Sequence, residues 1–348
     1  MADTVAVVTD STACLGPDIA GDLGADADLG VDGDLGVGGG VGHGGAGLAG
    51  GAGPDVRVVP LRVVVGGQVY DDTPAGGIDV AAALRRGITV TTARPSPQRF
   101  ARVYAEVAAT GAPGIVSVHL SGRMSGTVDS ARLAAEAATV PVLVLDARTA
   151  GAGLGFVVAA AVAAARSGRT LTEVAVVATR RSTRLRSLFC LGSLDQLRKG
   201  GRAGGGPLPG NALGGKQLLR IADGQIVPFE KVRTMARALA RLEELAAELT
   251  AEPASRCTPG AAFEFTPTKA SELAREFAAE SVTGAAVGHN KPVDVAVQHV
   301  ASKERAARLA ARLQARIPGL RELHISEAGP AMAAHTGPDM LGVVVARY

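Results

Sequence analysis

The 348-residue chain is 47% hydrophobic but only 3% aromatic, with no Trp, and its 36 basic and 33 acidic residues leave a formal charge of +3. So few rings exclude a base-stacking platform for single-stranded nucleic acid, and so even a charge balance excludes a broad phosphate-binding face. The length admits two compact domains, each burying a core whose walls must be mainly Ala, Val, Leu and Ile.

The N-terminal "MADTVAVVTDST" lacks the basic and long apolar regions of a secretory signal. "TVAVV" reads as a buried strand that ends in the polar turn Thr9-Asp10-Ser11-Thr12. Gly24 to Gly53 is a Gly/Asp-rich stretch with too little apolar bulk to pack; it reads as an insertion, and its acidic residues do not keep EF-hand spacing. In "TTARPSPQRFARVYAEVA", Thr91 to Pro95 reads as a turn, Ser96 as a helix N-cap and Pro97 as the first helical residue. "GIVSVHL" and "PVLVLD" are two more buried strands, followed by the polar turns "SGRMSGT" and "ARTAGAG" and then by helical patterns such as "SARLAAEAA". Continuous apolar strands alternating with helices predict a parallel sheet covered on both faces, with ligands bound beyond the carboxyl ends of its strands. The three polar turns should therefore converge.

The second half changes style near Ser167. It carries a helix around "LGSLDQLRKGG", with Gly200 at its C-cap, and a hairpin through "LLRIADGQIVPFEKV" that turns at Asp223-Gly224. An amphipathic helix "MARALARLEELAAEL" follows. About Glu252 to Pro292 reads as a second insertion with one helical patch, "KASELAREFAAE". The strand "VDVAVQHV", the helix "SKERAARLAARLQARI", the strand "LRELHISEAG" and the final "LGVVVARY" complete an α+β pattern. The longest apolar run, from Gly153, is too short to span a bilayer. Cys14, Cys190 and Cys257 form no CxxC pair, so neither a disulfide framework nor a zinc site is expected, and a reduced, cytoplasmic setting fits.

Three places could carry chemistry. Ser121 to Thr127 opens a helix, where free N–H groups and the helix dipole favour an anion; it reads equally as an ordinary turn capped by Thr127. His335, in "AAHTGPDMLGVVV", admits an acyl hydrolase with Ser125 as nucleophile, yet no GxSxG elbow is present and no orienting Asp is identifiable. The other histidines (His43, His119, His289, His299 and His324) are scattered without metal spacing, so no metal site is expected, and a lone histidine can also be structural. Arg198, Lys199 and Arg202 flank a Gly pair, either complementing a helix C-terminus or forming a basic patch.

Taken in order, "VAVVTDST", "VRVVPLRVVVGGQVYDD", "TTARPSPQRF", "SVHLSGRMSGTVDSARLAAE", "LDQLRKGGRAGG", "DGQIVPFEKVRT" and "ISEAGPAMAAHTGPDMLGV" resemble the DegV family of bacterial fatty-acid-binding proteins across nearly the whole chain. The resemblance implies a parallel-sheet α/β domain over 1–166 and an α+β domain over 167–348, with a long-chain fatty acid held between them. It implies a carrier subunit of fatty acid kinase in phospholipid metabolism, without catalysis of its own and without a cofactor. Such a carrier presents the bound carboxylate to a separate ATP-binding subunit that makes the acyl phosphate. By motif match, Thr92 and Ser125 hold the carboxylate and His335 orients it, with Ser121, Gly126, Thr336 and Arg94 as head-group neighbours and Arg198, Lys199 and Arg202 facing the partner. No nucleic acid and no integral membrane segment belong to this picture. The chain departs from the family pattern at Ala93-Arg94, where "TSQP" is usual, at Gly122, where a second serine is usual, and at Asp339 in place of a final Gly. Asp339, so near His335, is expected to raise that imidazole's demand for a proton.

Overall fold

The computed structural model describes residues 4–14, 56–73, 76–202, 215–251 and 292–347. The Gly24–Gly53 insertion, positions 252–291 with the expected "KASELAREFAAE" helix, Cys257, His43 and His289 lie outside the described residues.

A four-stranded parallel sheet is built from β1 (Ala6–Asp10), β2 (Val56–Val59), β6 (Ile115–His119) and β7 (Val142–Asp146) in the order β2-β1-β6-β7. The three strands expected from continuous apolar runs are thus neighbours, and their polar turns do converge. Leu120 N donates to Asp10 at 3.0 Å, Ala147 N to the His119 carbonyl at 3.0 Å and Gly122 N to Asp146 at 3.1 Å. The runs are continuous because both faces are covered. Helices α2 (Pro97–Ala109) and α3 (Thr127–Ala135) bury Phe100, Val103 and Val128 against one face. Helices α4 (Ala152–Arg166) and α5 (Leu171–Thr183) bury Leu154, Val158 and Val174 against the other. Ser96 caps α2 as expected, its side chain accepting from Arg99 N, with Pro97 at the first helical position. Thr127 does not cap α3: Gly126 occupies the N-cap, and the Thr127 hydroxyl pairs with Ser125 instead.

A second, antiparallel sheet of three strands stands beside this unit, in the order β4-β3-β5, from β3 (Arg62–Val65), β4 (Gln68–Asp71) and β5 (Val90–Ala93). Gly66 and Gly67 make the β3–β4 turn with φ of 58° and 90°, left-handed values that two-residue hairpin turns require. The expected turn at Thr91 to Pro95 is therefore largely strand: Thr92 sits opposite Val63 in β3. Helix α1 (Val80–Arg85), capped by Asp79, packs nearby.

The remaining sheet has six strands in the order β10-β9-β8-β13-β11-β12. These are β8 (Leu185–Cys190), β9 (Lys216–Ala222), β10 (Gln225–Val232), β11 (Val293–His299), β12 (Leu320–Glu327) and β13 (Leu341–Arg347). Its β9–β10 hairpin turns at Asp223 and Gly224, both at positive φ, as expected. Helices α7 (Met235–Ala251) and α8 (Lys303–Arg316) cover one face, burying Leu242, Leu309 and Leu313. The short helices α6 (Asp195–Lys199) and α9 (Pro330–Thr336) lie on the other, where Leu197, Ala331 and Ala334 share one apolar cluster with Val63 of the three-stranded sheet and with Leu61 just before β3. That shared cluster brings β5 and α9 together.

Candidate functional site

Thr92 and His335 are 243 residues apart, and the fold joins them: Thr92 Oγ1 lies 2.7 Å from His335 Nε2. β5 supplies the threonine and the last turn of α9 the histidine. Asp72 fixes the start of α9. Its carboxylate accepts from Ala331 N at 2.9 Å and from the Ser11 hydroxyl at 2.7 Å, and burial pushes its carboxyl above the usual range. Asp72 therefore ties the polar turn after β1 to the helix that carries His335.

The second imidazole nitrogen faces a cation. Arg202 Nη1 is 3.5 Å from His335 Nδ1, Arg202 Nε donates to the Met124 carbonyl at 3.3 Å, and Nη1 donates to the Gly200 carbonyl at 2.9 Å. A guanidinium has donors only, so Nδ1 must accept and the proton of the neutral ring sits on Nε2. Nε2–H then donates to Thr92 Oγ1, which leaves the threonine hydroxyl hydrogen free to donate to a ligand. Burial, reinforced by the Arg202 charge, holds the His335 pKa down at about 4. Arg202, half-buried, thus sits between His335 and the Ser121–Thr127 loop and lines the cavity there. Arg198 leans on Asp195 at 3.9 Å, and Lys199 is exposed.

Arg202 links this pair to the Ser121–Thr127 loop through the Met124 carbonyl, and neither Thr92 nor His335 lines the cavity beside that loop. Ser125, Gly126 and Arg94 line a cavity of about 380 Å³ together with Arg202, Arg123 and Gly200. Ser125 Oγ is 2.8 Å from Thr127 Oγ1, and Arg94 reaches over the loop to the Gly126 carbonyl at 3.4 Å. Two expected head-group neighbours point elsewhere. The Ser121 hydroxyl donates to the Gly224 carbonyl at 2.7 Å, and the Thr336 hydroxyl donates to the Met332 carbonyl within its own helix. Asp339 does not act on His335 as expected: at φ 67° its carboxylate turns to Ser302 at 3.4 Å and Arg305 at 3.5 Å. At the Gly122 departure, the backbone N–H is given to Asp146, and a Cβ would come within 3.0 Å of the same carboxylate oxygen.

A buried polar chain below the loop was not anticipated. Asp10 accepts from Thr12 N, the Thr12 hydroxyl, Leu120 N and His119 Nδ1, and His119 Nε2 meets Ser117, which meets Tyr104. Asp10, His119 and Ser117 have the order of a hydrolytic triad, yet all three are 0% exposed, so no substrate reaches them. They pin the carboxyl ends of β1 and β6. Their signal in the sequence was an Asp ending β1 and a Ser and a His two residues apart at the end of β6, in strands otherwise rich in apolar residues.

The family model described as "Uncharacterised protein, DegV family" matches residues 52–287 and 276–347. A DegV domain-containing protein of Streptomyces coelicolor is 41% identical over 83% of this chain and 90% of its own. This chain belongs to the DegV family. A DegV domain-containing protein of Mycobacterium tuberculosis is 30% identical over 83% of this chain and 89% of its own. Among solved structures, a DegV family protein from Thermus thermophilus described as fatty acid binding is 26% identical with a TM-score of 0.71, covering 99% of this chain and 100% of that one. DegV of Bacillus subtilis, described as a fatty acid binding protein, shares the fold at 21% identity and a TM-score of 0.70 over 99% of each chain. Among the described residues of this DegV protein no helix is long and apolar enough to cross a membrane, and no group of three or more His, Cys, Asp or Glu could hold a metal ion.

Proposed function

We propose that this DegV protein binds a long-chain fatty acid between its parallel-sheet half and its mixed-sheet half and presents the carboxylate to a separate ATP-binding kinase subunit. That subunit would transfer the γ-phosphoryl group of ATP to a carboxylate oxygen, giving acyl phosphate and ADP. The chain itself performs no catalysis in this reading. Thr92 and Ser125 donate to the carboxylate, and His335 orients Thr92. The observation that carries the reading is the 2.7 Å contact between Thr92 and His335 at the edge of an apolar cluster drawn from both halves. The fatty-acid-binding relative from Thermus thermophilus adds support.

The energetics suit a carrier. A tail of about fifteen methylenes at about 0.8 kcal/mol each offers a gross gain near 12 kcal/mol before the costs of association. Hydrogen bonds to the charged carboxylate add about 1.5–3 kcal/mol apiece. The tail supplies affinity, and the head group fixes which end is offered outward.

A hydrolase built on Ser125 and His335 fits the contacts less well. Each of the two pairs with another side chain, and the imidazole has a guanidinium where a triad has a carboxylate. Denaturing extraction with mass spectrometry decides the carrier reading at the level of ligand: about one fatty acid per chain is expected, and none after incubation with oleate and palmitate would sink it. Release of p-nitrophenol from an acyl ester, lost in Ser125→Ala, would favour the hydrolase.

A further inference from the structure

The tip of the β9–β10 hairpin, in the second half of the chain, reaches across to the ligand loop in the first. Ser121 is the residue around which that loop is wound. Its carbonyl accepts from Met124 N at 2.9 Å and Ser125 N at 3.1 Å, and its hydroxyl accepts from Arg123 N at 3.2 Å. The one hydrogen of that hydroxyl goes to the Gly224 carbonyl, and Ser121 is 0% exposed. Gly224 is at φ 75°, and a Cβ there would run into the Ser121 hydroxyl, so glycine serves both the turn and the close approach. Beside it, Asp223 is gripped from two polar turns: Arg123 Nη1 lies 2.9 Å from one carboxylate oxygen and Arg148 Nη1 2.5 Å from the other. The hydrogen bond from Arg148 holds the Asp223 carboxyl below the usual carboxylate range.

We propose that the β9–β10 tip clamps the Ser121–Thr127 loop, with Asp223 and Gly224 as positioning residues that keep Ser125 facing the cavity and thereby set how long a bound carboxylate stays. The clamp rests on the carrier reading for its ligand, but the ordering of the loop does not depend on it. Neither residue reaches the cavity's head-group side chains; both act through Ser121 and Arg123.

The test pairs two measurements on the full chain. Hydrogen–deuterium exchange of the 121–127 segment is followed without ligand in wild type, Asp223→Asn and Gly224→Ala, at low and high salt. Oleate dissociation is followed in the same three proteins by displacement of a fluorescent fatty acid. Exposed ion pairs contribute little singly, so loosening two of them predicts loop exchange and oleate release about three- to tenfold faster. Salt should speed loop exchange in wild type and leave Asp223→Asn unmoved, since screening acts on the pair the substitution removes. A general loss of packing would instead also speed exchange in β6 and β7. Unchanged loop exchange in both variants overturns the clamp, as does faster exchange with oleate release unaltered. If wild type binds no oleate while the loop responds, the carrier reading falls and the clamp on the loop stands.

Discussion

His335 makes stability depend on pH in a direction its surroundings dictate. Its pKa is held at about 4 in the folded chain, against 6.5 for an unperturbed imidazole, first by burial and then by Arg202. Between those values the unfolded chain binds the proton and the folded chain does not, so stability is complete above about pH 7 and is lost as pH falls from 6.5 toward 4. At one and a half units below 6.5 the loss from this one group is about 2 kcal/mol, taking about 1.36 kcal/mol per unit. His299 also titrates low, through burial, and contributes a loss of the same sign. The measurement is therefore a difference: urea denaturation of wild type and His335→Gln at pH 7.5 and pH 5.0. Wild type should lose about 2 kcal/mol more than the variant on going to pH 5.0, because glutamine has no proton to gain. Equal losses in the two proteins would refute the assignment, since the depressed group would then lie elsewhere.

Two further outcomes follow from named contacts. Thr92→Val keeps the shape of β5 but removes the hydroxyl that meets His335, and fatty acid affinity measured by fluorescence titration should fall about ten- to 150-fold, the equivalent of about 1.5–3 kcal/mol. A variant that binds as tightly as wild type would remove Thr92 from the head-group site. Asp294→Ala deprives the buried Arg181 guanidinium of the carboxylate it holds at 2.6 Å and Arg321 of the same partner; thermal and urea unfolding should show a loss of about 3–5 kcal/mol, with unaltered stability as the contrary result.

The parallel sheet was legible because β1, β6 and β7 are dominated by apolar β-branched and Leu residues and stop at polar turns. The three-stranded sheet was not, for reasons visible in β5. It is four residues long, its side chains are alternately half-buried and exposed, and it leads straight into "RPSP", which reads as a turn. Helix α5 did carry a signal that went unread: Thr170 and Glu173 form a reciprocal capping box, the pattern that announces a helix start. At the site, His335 stood out by residue type, whereas Thr92 was reached only through the family motif, because no spacing in the sequence shows the packing of β3, β5 and α9 that joins the two. Nearness in sequence misled at Asp339, whose left-handed backbone turns the carboxylate toward Ser302 and Arg305. Arg202 was singled out as a cation beside a Gly pair, but its contact with His335 Nδ1, set by the reversal at Gly201 with φ 64°, has no counterpart in the spacing of the sequence.

The charge arrangement around His335 bears on why a carrier would use it. A protonated imidazole in direct contact with a carboxylate would hold it as an ion pair, and an oxygen so neutralised is a poorer nucleophile toward a phosphoryl group. Here burial and Arg202 on its far side favour the neutral ring, and in the proposed carrier it would act on the ligand only by fixing the direction of the Thr92 hydroxyl. Positive charge at the loop comes from Arg202, whose hydrogen bonds go to the Met124 and Gly200 carbonyls, from Arg94, which reaches the Gly126 carbonyl, and from Arg123 within the loop. Attraction for an anion and orientation of that anion would thus fall to different side chains in such a carrier. In the proposed carrier, the carboxylate is aimed by neutral donors while the cations stand beside rather than on those donors, so the oxygen offered to the kinase is less neutralised than one in direct contact with an imidazolium.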